Sequence, residues 1–307
     1  ETTEFVQETV VPEGYTGIYT VEDFFAIKNS NTTSQILGNY ILMADLDFTG
    51  RQYEIIGETG SSGLSKAPFN GIFNGNGYKI SNINIESNNT YIGIFGYASG
   101  ATIKNLTIEN ININATGTAT IYVGGLVGYN NGASIDNINI IGTNIIKDTE
   151  NAKEVHIGGL AGYSNISNRK IENCKVKAEL IENAKGTNSN INVGGLVGTV
   201  YYGNVENCSA DVKVCENGYS NSSTNVGGLI GYSRASLSIS NNTQSEIIIA
   251  NQTESTVATI GGLIGKIDEI SNQDKSVTGS YANTNIQINT ELNVKAGGLI
   301  GNISTTN

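Results

Sequence analysis

Tryptophan is absent from this chain of 307 residues, and methionine, histidine and proline are nearly so, at one, one and two residues. Arginine is scarce too: Arg51, Arg169 and Arg234 are the only three, and the net charge is -11. That balance excludes the clustered cations that a nucleic-acid backbone or an anionic membrane surface demands. No apolar run reaches the roughly 18 residues of a membrane-spanning helix, so no membrane insertion of that kind is expected. The start at Glu1 has no signal-peptide pattern, and the end stops just after a repeated phrase restarts, so a segment of a longer chain is expected. Cys174, Cys208 and Cys215 make an odd count without metal-ligand spacing. No nucleophile triad, phosphate-binding loop or dinucleotide fingerprint occurs, so neither a cofactor nor a catalytic residue is expected. Apolar residues make up 38%, below the usual share of about 45 to 50%. A compact core would be thin at that level, but a narrow rod of small aliphatics needs no more.

What the chain has is 38 glycines, and they recur in a phrase. "YVGGLVGY", "HIGGLAGY", "NVGGLVGT", "NVGGLIGY", "TIGGLIGK" and "KAGGLIGN" place paired glycines at 124, 158, 194, 227, 261 and 297. The intervals are 34, 36, 33, 34 and 36 residues, and "FNGIFNG" and "YIGIFGY" stand ahead as looser copies. Such a period marks a solenoid. A second phrase keeps phase with the first: "ISNI", "IKNL", "IDNI", "IENC" and "VENC", carrying Asn82, Asn105, Asn137, Asn173 and Asn207, with Asn241 in "ISNN" extending the series. Alternating strand-like residues follow each copy.

These patterns predict an all-β chain, a single-stranded parallel β-helix of about eight coils, right-handed by the general preference for parallel crossovers. At about 4.8 Å per coil the rod is on the order of 40 Å long. The asparagines are expected to form a structural ladder, buried at one bend and bonded to their neighbours above and below. Cys174 and Cys208 fall at equivalent points of adjacent repeats and are expected as buried thiols. "TVEDFFAIKNS" begins with a capping-box-like Thr-x-x-Asp and suits a short helix. Residues 15–68 are read as an N-terminal cap, 1–14 as linker and 69–307 as the repeat solenoid. Polar loops at 147–154, 182–189, 215–224 and 251–256 share one phase and are expected along one edge, where specific contacts are most natural.

"GGLVG", a polar turn and "IENC" together resemble the bacterial GLUG repeat. The leader from "YILMADLDFTG" through "APFNGIFNGNGYKISNINI" is similar to the segment preceding such repeats in secreted and surface proteins, in particular the N-terminal β-helical region of IgA1-protease-like zinc metalloproteases of Gram-positive bacteria. Related modules occur in adhesins. The resemblance implies an extracellular or wall-attached parent whose zinc domain lies elsewhere. It transfers no catalytic residue here, because the family's zinc motif needs two histidines and this chain has only His156.

His156 occupies a position that other repeats fill with tyrosine, asparagine, threonine or lysine, so an outward, solvent-exposed side chain is expected. Asp45 and Asp47, with Glu54 near, alternate onto one strand face, a pattern of calcium sites or, more plainly, of turn capping. Tyr97, Tyr129, Tyr163 and Tyr232 follow the last glycine of four phrases and suggest a ladder. Tyr201 and Tyr202 are adjacent in a turn and are candidate ligand contacts, since tyrosines grip sugar or peptide. The function expected is a non-catalytic module that recognises or positions a host glycoprotein such as IgA1, or spaces a protease from the cell wall. The alternatives are an adhesin module binding host glycan or protein, and a polysaccharide-active β-helix enzyme. The latter would need basic residues and acidic clusters on one coil face, which three scattered arginines do not provide.

Overall fold

The computed structural model describes residues 6–29, 31–32, 35–57, 67–148, 151–187, 189–234, 237–250, 258–269, 275–289 and 293–305. Each glycine phrase from residue 91 onward ends a short strand. Tyr91–Ile92, Thr120–Gly124, Glu154–Gly158, Ile191–Gly194, Thr224–Gly227, Ala258–Gly261 and Val294–Gly297 form one seven-stranded sheet. All its pairings are parallel, and Gly124, Gly158, Gly194, Gly227, Gly261 and Gly297 stand opposite one another. The chain is therefore a parallel β-solenoid of about seven turns, one fewer than the repeat count suggested. A 19-stranded sheet folds around its remaining sides.

The phrase works by close approach. A Cβ on Gly159 would collide with the carbonyl oxygen of Gly195 in the next coil, so only glycine allows this stacking distance. The leucine beside it points inward: Leu126, Leu160, Leu196, Leu229 and Leu263 are fully buried. Their amides donate to the leucine carbonyl one coil on at 2.8–3.0 Å, ending at Leu299.

The asparagine phrase solves a different problem. In a straight strand residues i and i+3 face opposite sides, yet Ile135 and Ile138 are both buried, as are Ile103 with Leu106, Ile171 with Cys174 and Val205 with Cys208. The asparagine between them turns the chain. Asn82, Asn105, Asn137, Asn173 and Asn207 all adopt left-handed backbone, with φ of 52–60°, which asparagine tolerates better than any residue but glycine. This corrects the expectation of a buried ladder. Asn137, Asn173 and Asn207 are exposed and Asn82 and Asn105 half-buried. Asn137 donates to Asn105 (3.0 Å), Asn105 to Asn74 (3.1 Å), Asn82 to Asp47 (2.9 Å) and Asn173 to Asp136 (2.8 Å). These bonds run along the outside of the corner. The backbone conformation selects the residue, and the side-chain bonds follow from it. The side chain of Asn241 lies outside the described residues.

The N-terminal region adds strands to the same sheet: Thr16–Ile18 pairs with Asn39–Leu42, which pairs with Ile72–Asn74. Between them sits the chain's one described α-helix, Val21–Ala26, with the capping box that its sequence announced. Asp23 N donates to Thr20 Oγ1 (3.1 Å) and Thr20 N to Asp23 Oδ2 (3.0 Å). Within the stretch read as linker, Glu8 exchanges two bonds with the buried amide of Asn76 at 2.7 and 2.9 Å.

Candidate ligand-binding face

Stacked coils put equivalent side chains about one strand spacing apart, so a tyrosine repeated in phase becomes a row of rings. Tyr91, Tyr97, Tyr122, Tyr129 and Tyr163 form such a row, with Tyr129 and Tyr163 parallel at 4.8 Å and Tyr91 and Tyr129 at 5.0 Å. Tyr163 leads to Tyr201 at 6.3 Å, and Tyr201 to Tyr202 at 4.8 Å. All seven are half-buried, leaving ring area and hydroxyls at the surface. Burial raises the phenol pKa of Tyr91, Tyr122, Tyr129 and Tyr163. These hydroxyls are therefore neutral donors throughout the physiological range.

His156 is not the exposed residue that its neighbours in the repeat suggested. It is 5% exposed, stacked on Tyr122 at 4.6 Å and 10°. Its Nδ1 lies 2.7 Å from Thr199 Oγ1 and 3.3 Å from Asn192 Nδ2, and its Nε2 lies 3.5 Å from Glu154. An Nε2–H tautomer satisfies all three. The column continues along the rod, buried, with Asn225 Nδ2 donating to Asn192 Oδ1 and Thr259 Oγ1 to Asn225 Oδ1, both at 2.7 Å. The column is polar but covered, because Thr199 and the tyrosine row from the adjoining strand fold over it. A covered polar ladder thus exists at an outward strand position where a solvent-exposed side chain was expected. One enclosed histidine cannot form a two-imidazole zinc site, so no metal chemistry is assigned to it. Among the described residues, no three His, Cys, Asp or Glu side chains are grouped to hold a metal ion.

A second buried polar column escaped the sequence reading altogether. Asp148, Glu182 and Glu216, first or second residues of three of the loops expected along the edge, are 2%, 0% and 0% exposed. They occupy the inward parity of their strands, two residues beyond buried Ile146, Leu180 and Val214. That parity was the signal available. Burial, and then the neighbouring carboxyl, raise the pKa values of Asp148 and Glu182, while burial pushes Glu216 up to about 8. Asn183 N caps Asp148 Oδ1 at 2.7 Å, and Ala184 N caps Glu182 Oε1 at 2.7 Å. Residues 149–150, 188 and 251–256 of those loops lie outside the described residues.

The remaining candidates have structural partners. Asp47 Oδ1 accepts from Thr49 Oγ1, Asn82 and the Thr49 amide, which hold its carboxyl below the usual range. Asp45 caps the Lys79 amide at 2.8 Å, and Glu54 pairs with Lys28. Cys174 and Cys208 are buried free thiols and Cys215 is a half-buried one. Of the open recesses among the described residues, two bear on binding. One, of about 550 Å³, crosses several coils along Glu179, Lys213 and Glu246, but its Lys213 is already paired with Glu179 at 3.0 Å. The other, of about 480 Å³, is a notch beside Tyr202 lined by Ser167, Asn168, Arg169, Lys170, Gly203 and Asn204. Tyr201, edge-on to Tyr202 at 4.8 Å, has the Arg234 guanidinium 5.0 Å from its ring centre. The structure therefore brings Tyr201 and Tyr202 together with two of the three arginines, which no spacing in the sequence had indicated.

Known proteins agree with this architecture. Residues 189–214 match the family model of the GLUG motif. The fold is similar to the 1.30 Å crystal structure of a candidate immunoglobulin A1 protease from Bacteroides ovatus, with a TM-score of 0.53 and 18% identity over 89% of this chain and 83% of that one. No curated protein matches the sequence. The chain is a parallel β-solenoid carrying the GLUG motif, and its likeness to the Bacteroides protein is one of fold.

Proposed function

We propose that the chain is a non-catalytic recognition module of a secreted or surface-attached bacterial protein of the IgA1-protease-like kind. On this reading it holds a host glycoprotein while a zinc domain elsewhere in the same protein cuts it. The observation that carries the reading is the row of half-exposed tyrosines running from Tyr91 to Tyr202. A rod needs no such surface to stack. Tyrosine rings offer rigid apolar area with a hydroxyl at low entropic cost, the combination that sugar and peptide recognition uses. The fold likeness to the Bacteroides protein supports the choice of parent class.

The test is binding of the whole chain to immobilised IgA1, with its hinge glycans intact or removed. Saturable binding with a Kd on the order of micromolar or tighter, weakened by glycan removal, is expected. No saturable binding would overturn recognition of this substrate and leave a spacer or an adhesin for another ligand, which a glycan array would then separate.

A further inference from the structure

The notch beside Tyr202 is built rather than incidental. Between Asn165 and Ile171 the chain takes two more residues than the preceding coil takes between their partners Asn131 and Ile135. The register with the following coil breaks twice there, between Ser164 and Lys170. The bulge is pinned at both ends. Ile166 is fully buried beneath it, Asn168 turns through left-handed backbone at φ 61°, and Gly203, at φ 120°, leaves no room for a Cβ against Ile166. Bulges of this kind re-aim side chains, and this one lifts Asn168, Arg169 and Lys170 over the face of the rod.

The charges at the notch differ from those of the chain as a whole. Lys170 is neutralised by Glu206 at 2.7 Å. Arg169 is exposed, its guanidinium bonded to Ser134 Oγ at 3.4 Å, and among the described residues no carboxylate lies within ion-pair distance of it. In a chain of net charge -11, an arginine with no ion pair among the described residues, lining one notch with a tyrosine, two asparagines and a serine, is an unusual arrangement.

We infer that this notch is a saccharide subsite for a sugar bearing a single carboxylate. Arg169 presents a planar fork that matches a carboxylate in two parallel bonds. The Tyr202 ring gives the apolar face of a pyranose a stacking surface. Asn168, Asn204 and Ser167 supply both donors and acceptors for neighbouring hydroxyls. A phosphate would ask for more than one unpaired cation and has no use for the ring. Sialic acids and uronic acids share the required chemistry. The inference rests on the tyrosine face being a binding surface, but it makes no demand on IgA1 as the partner.

Titration calorimetry of the whole chain with sialyllactose, a glucuronate disaccharide, lactose and inorganic phosphate tests it. At least one acidic sugar should bind with a Kd on the order of a millimolar, with lactose and phosphate at least about tenfold weaker. Which acidic sugar binds identifies the source. Arg169→Gln should cost about tenfold or more and Arg169→Lys less, because the ammonium keeps the charge but loses the fork. Both should keep the parental melting temperature, since Arg169 is exposed. Equal binding of lactose or phosphate, no binding of either acidic sugar, or an unaffected Arg169→Gln variant would overturn the inference. Binding of IgA1 without binding of acidic sugar would sink the subsite and leave the module standing. The reverse result would keep the subsite and remove the proposed substrate.

Discussion

The first and last described coils of the rod are covered in different ways. At the N-terminal end Phe24, Phe48, Phe69, Phe73 and Phe95 are all fully buried, and the helix drops Phe24 edge-on against Phe48 at 5.5 Å and Phe73 at 5.7 Å. At the other end Tyr281, Leu299 and Ile303 are 59%, 44% and 57% exposed. The N-terminal coils carry only looser copies of the glycine phrase, whereas the other end repeats it in full. The comparison shows that a coil buries its core only against another coil or a plug, and that the plug requires a different composition. Five of the seven phenylalanines lie between residues 24 and 73, where they plug the end of a rod whose other coils are lined by isoleucine, leucine and valine.

The largest effect should come from breaking the sealed end. Phe24→Ala removes a buried ring from the centre of the plug and should cost about 3–5 kcal/mol, read by denaturant unfolding. A loss below about 1 kcal/mol would mean that the solenoid is stable without its plug and that the helix is an appendage.

Further along, the interior changes from rings to buried polar columns, and that contrast predicts a pH response. Asp148, Glu182 and Glu216 have raised folded-state pKa values, whereas unfolded carboxyls titrate near 4.3. The folded state therefore binds more protons across this interval. The stability these groups lend is fully present below the unfolded pKa and is lost as pH rises toward about 8. A loss on the order of 3 kcal/mol between pH 5 and 8 is expected. Glu182→Gln keeps the shape and removes the central charge, so it should flatten that slope. Hydrogen exchange should place the loosening in the coils around residues 148, 182 and 216, with the aromatic end unaffected. A slope unchanged in the variant, or one shared by both ends, would contradict the assignment.

A third test concerns what the two regions share. Asn82 near the plug and Asn173 in the middle coils make the same left-handed bend. Asn173→Leu places a branched side chain at φ 56° and should cost about 1–2 kcal/mol, while Asn173→Gly, which accepts the conformation, should cost less than half of that. Equal losses would return the explanation to the side-chain bond with Asp136.

That pair of variants also marks where the sequence was legible. The stacking was readable, because parallel coils in register demand the same residue at the same phase, and "GGL" has one structural meaning six times over. The asparagine position was readable for the same reason. Its cause was not, since a one-dimensional pattern cannot tell a buried amide from a backbone that has to bend. His156 was misplaced because variety at a position suggests solvent, whereas here Thr199 and the tyrosine row cover it from a neighbouring strand. The acids at 148, 182 and 216 were assigned to loops by composition, although strand parity already turned them inward. The notch at Arg169 lay in a two-residue difference of repeat length, visible only once the register of both coils was known.

The smallest effect should appear at the open end, and there the comparison is sharpest. Leu263 and Leu299 hold the same place in the phrase one coil apart, joined by the Leu263 N–H to the Leu299 carbonyl at 2.9 Å. Leu263 is fully buried and Leu299 is 44% exposed. Leu263→Ala should therefore cost about 2–5 kcal/mol, while Leu299→Ala, which gives up only part of its transfer energy and leaves no closed cavity, should stay within about 1 kcal/mol. The local sequence, backbone and substitution are the same, so the difference isolates the presence of a coil above. Equal costs for the two leucines would show that the last coil is covered in solution, by a second molecule or by its own chain. Repeating the pair at several protein concentrations would tell those two apart, because only association makes the cost at Leu299 depend on concentration.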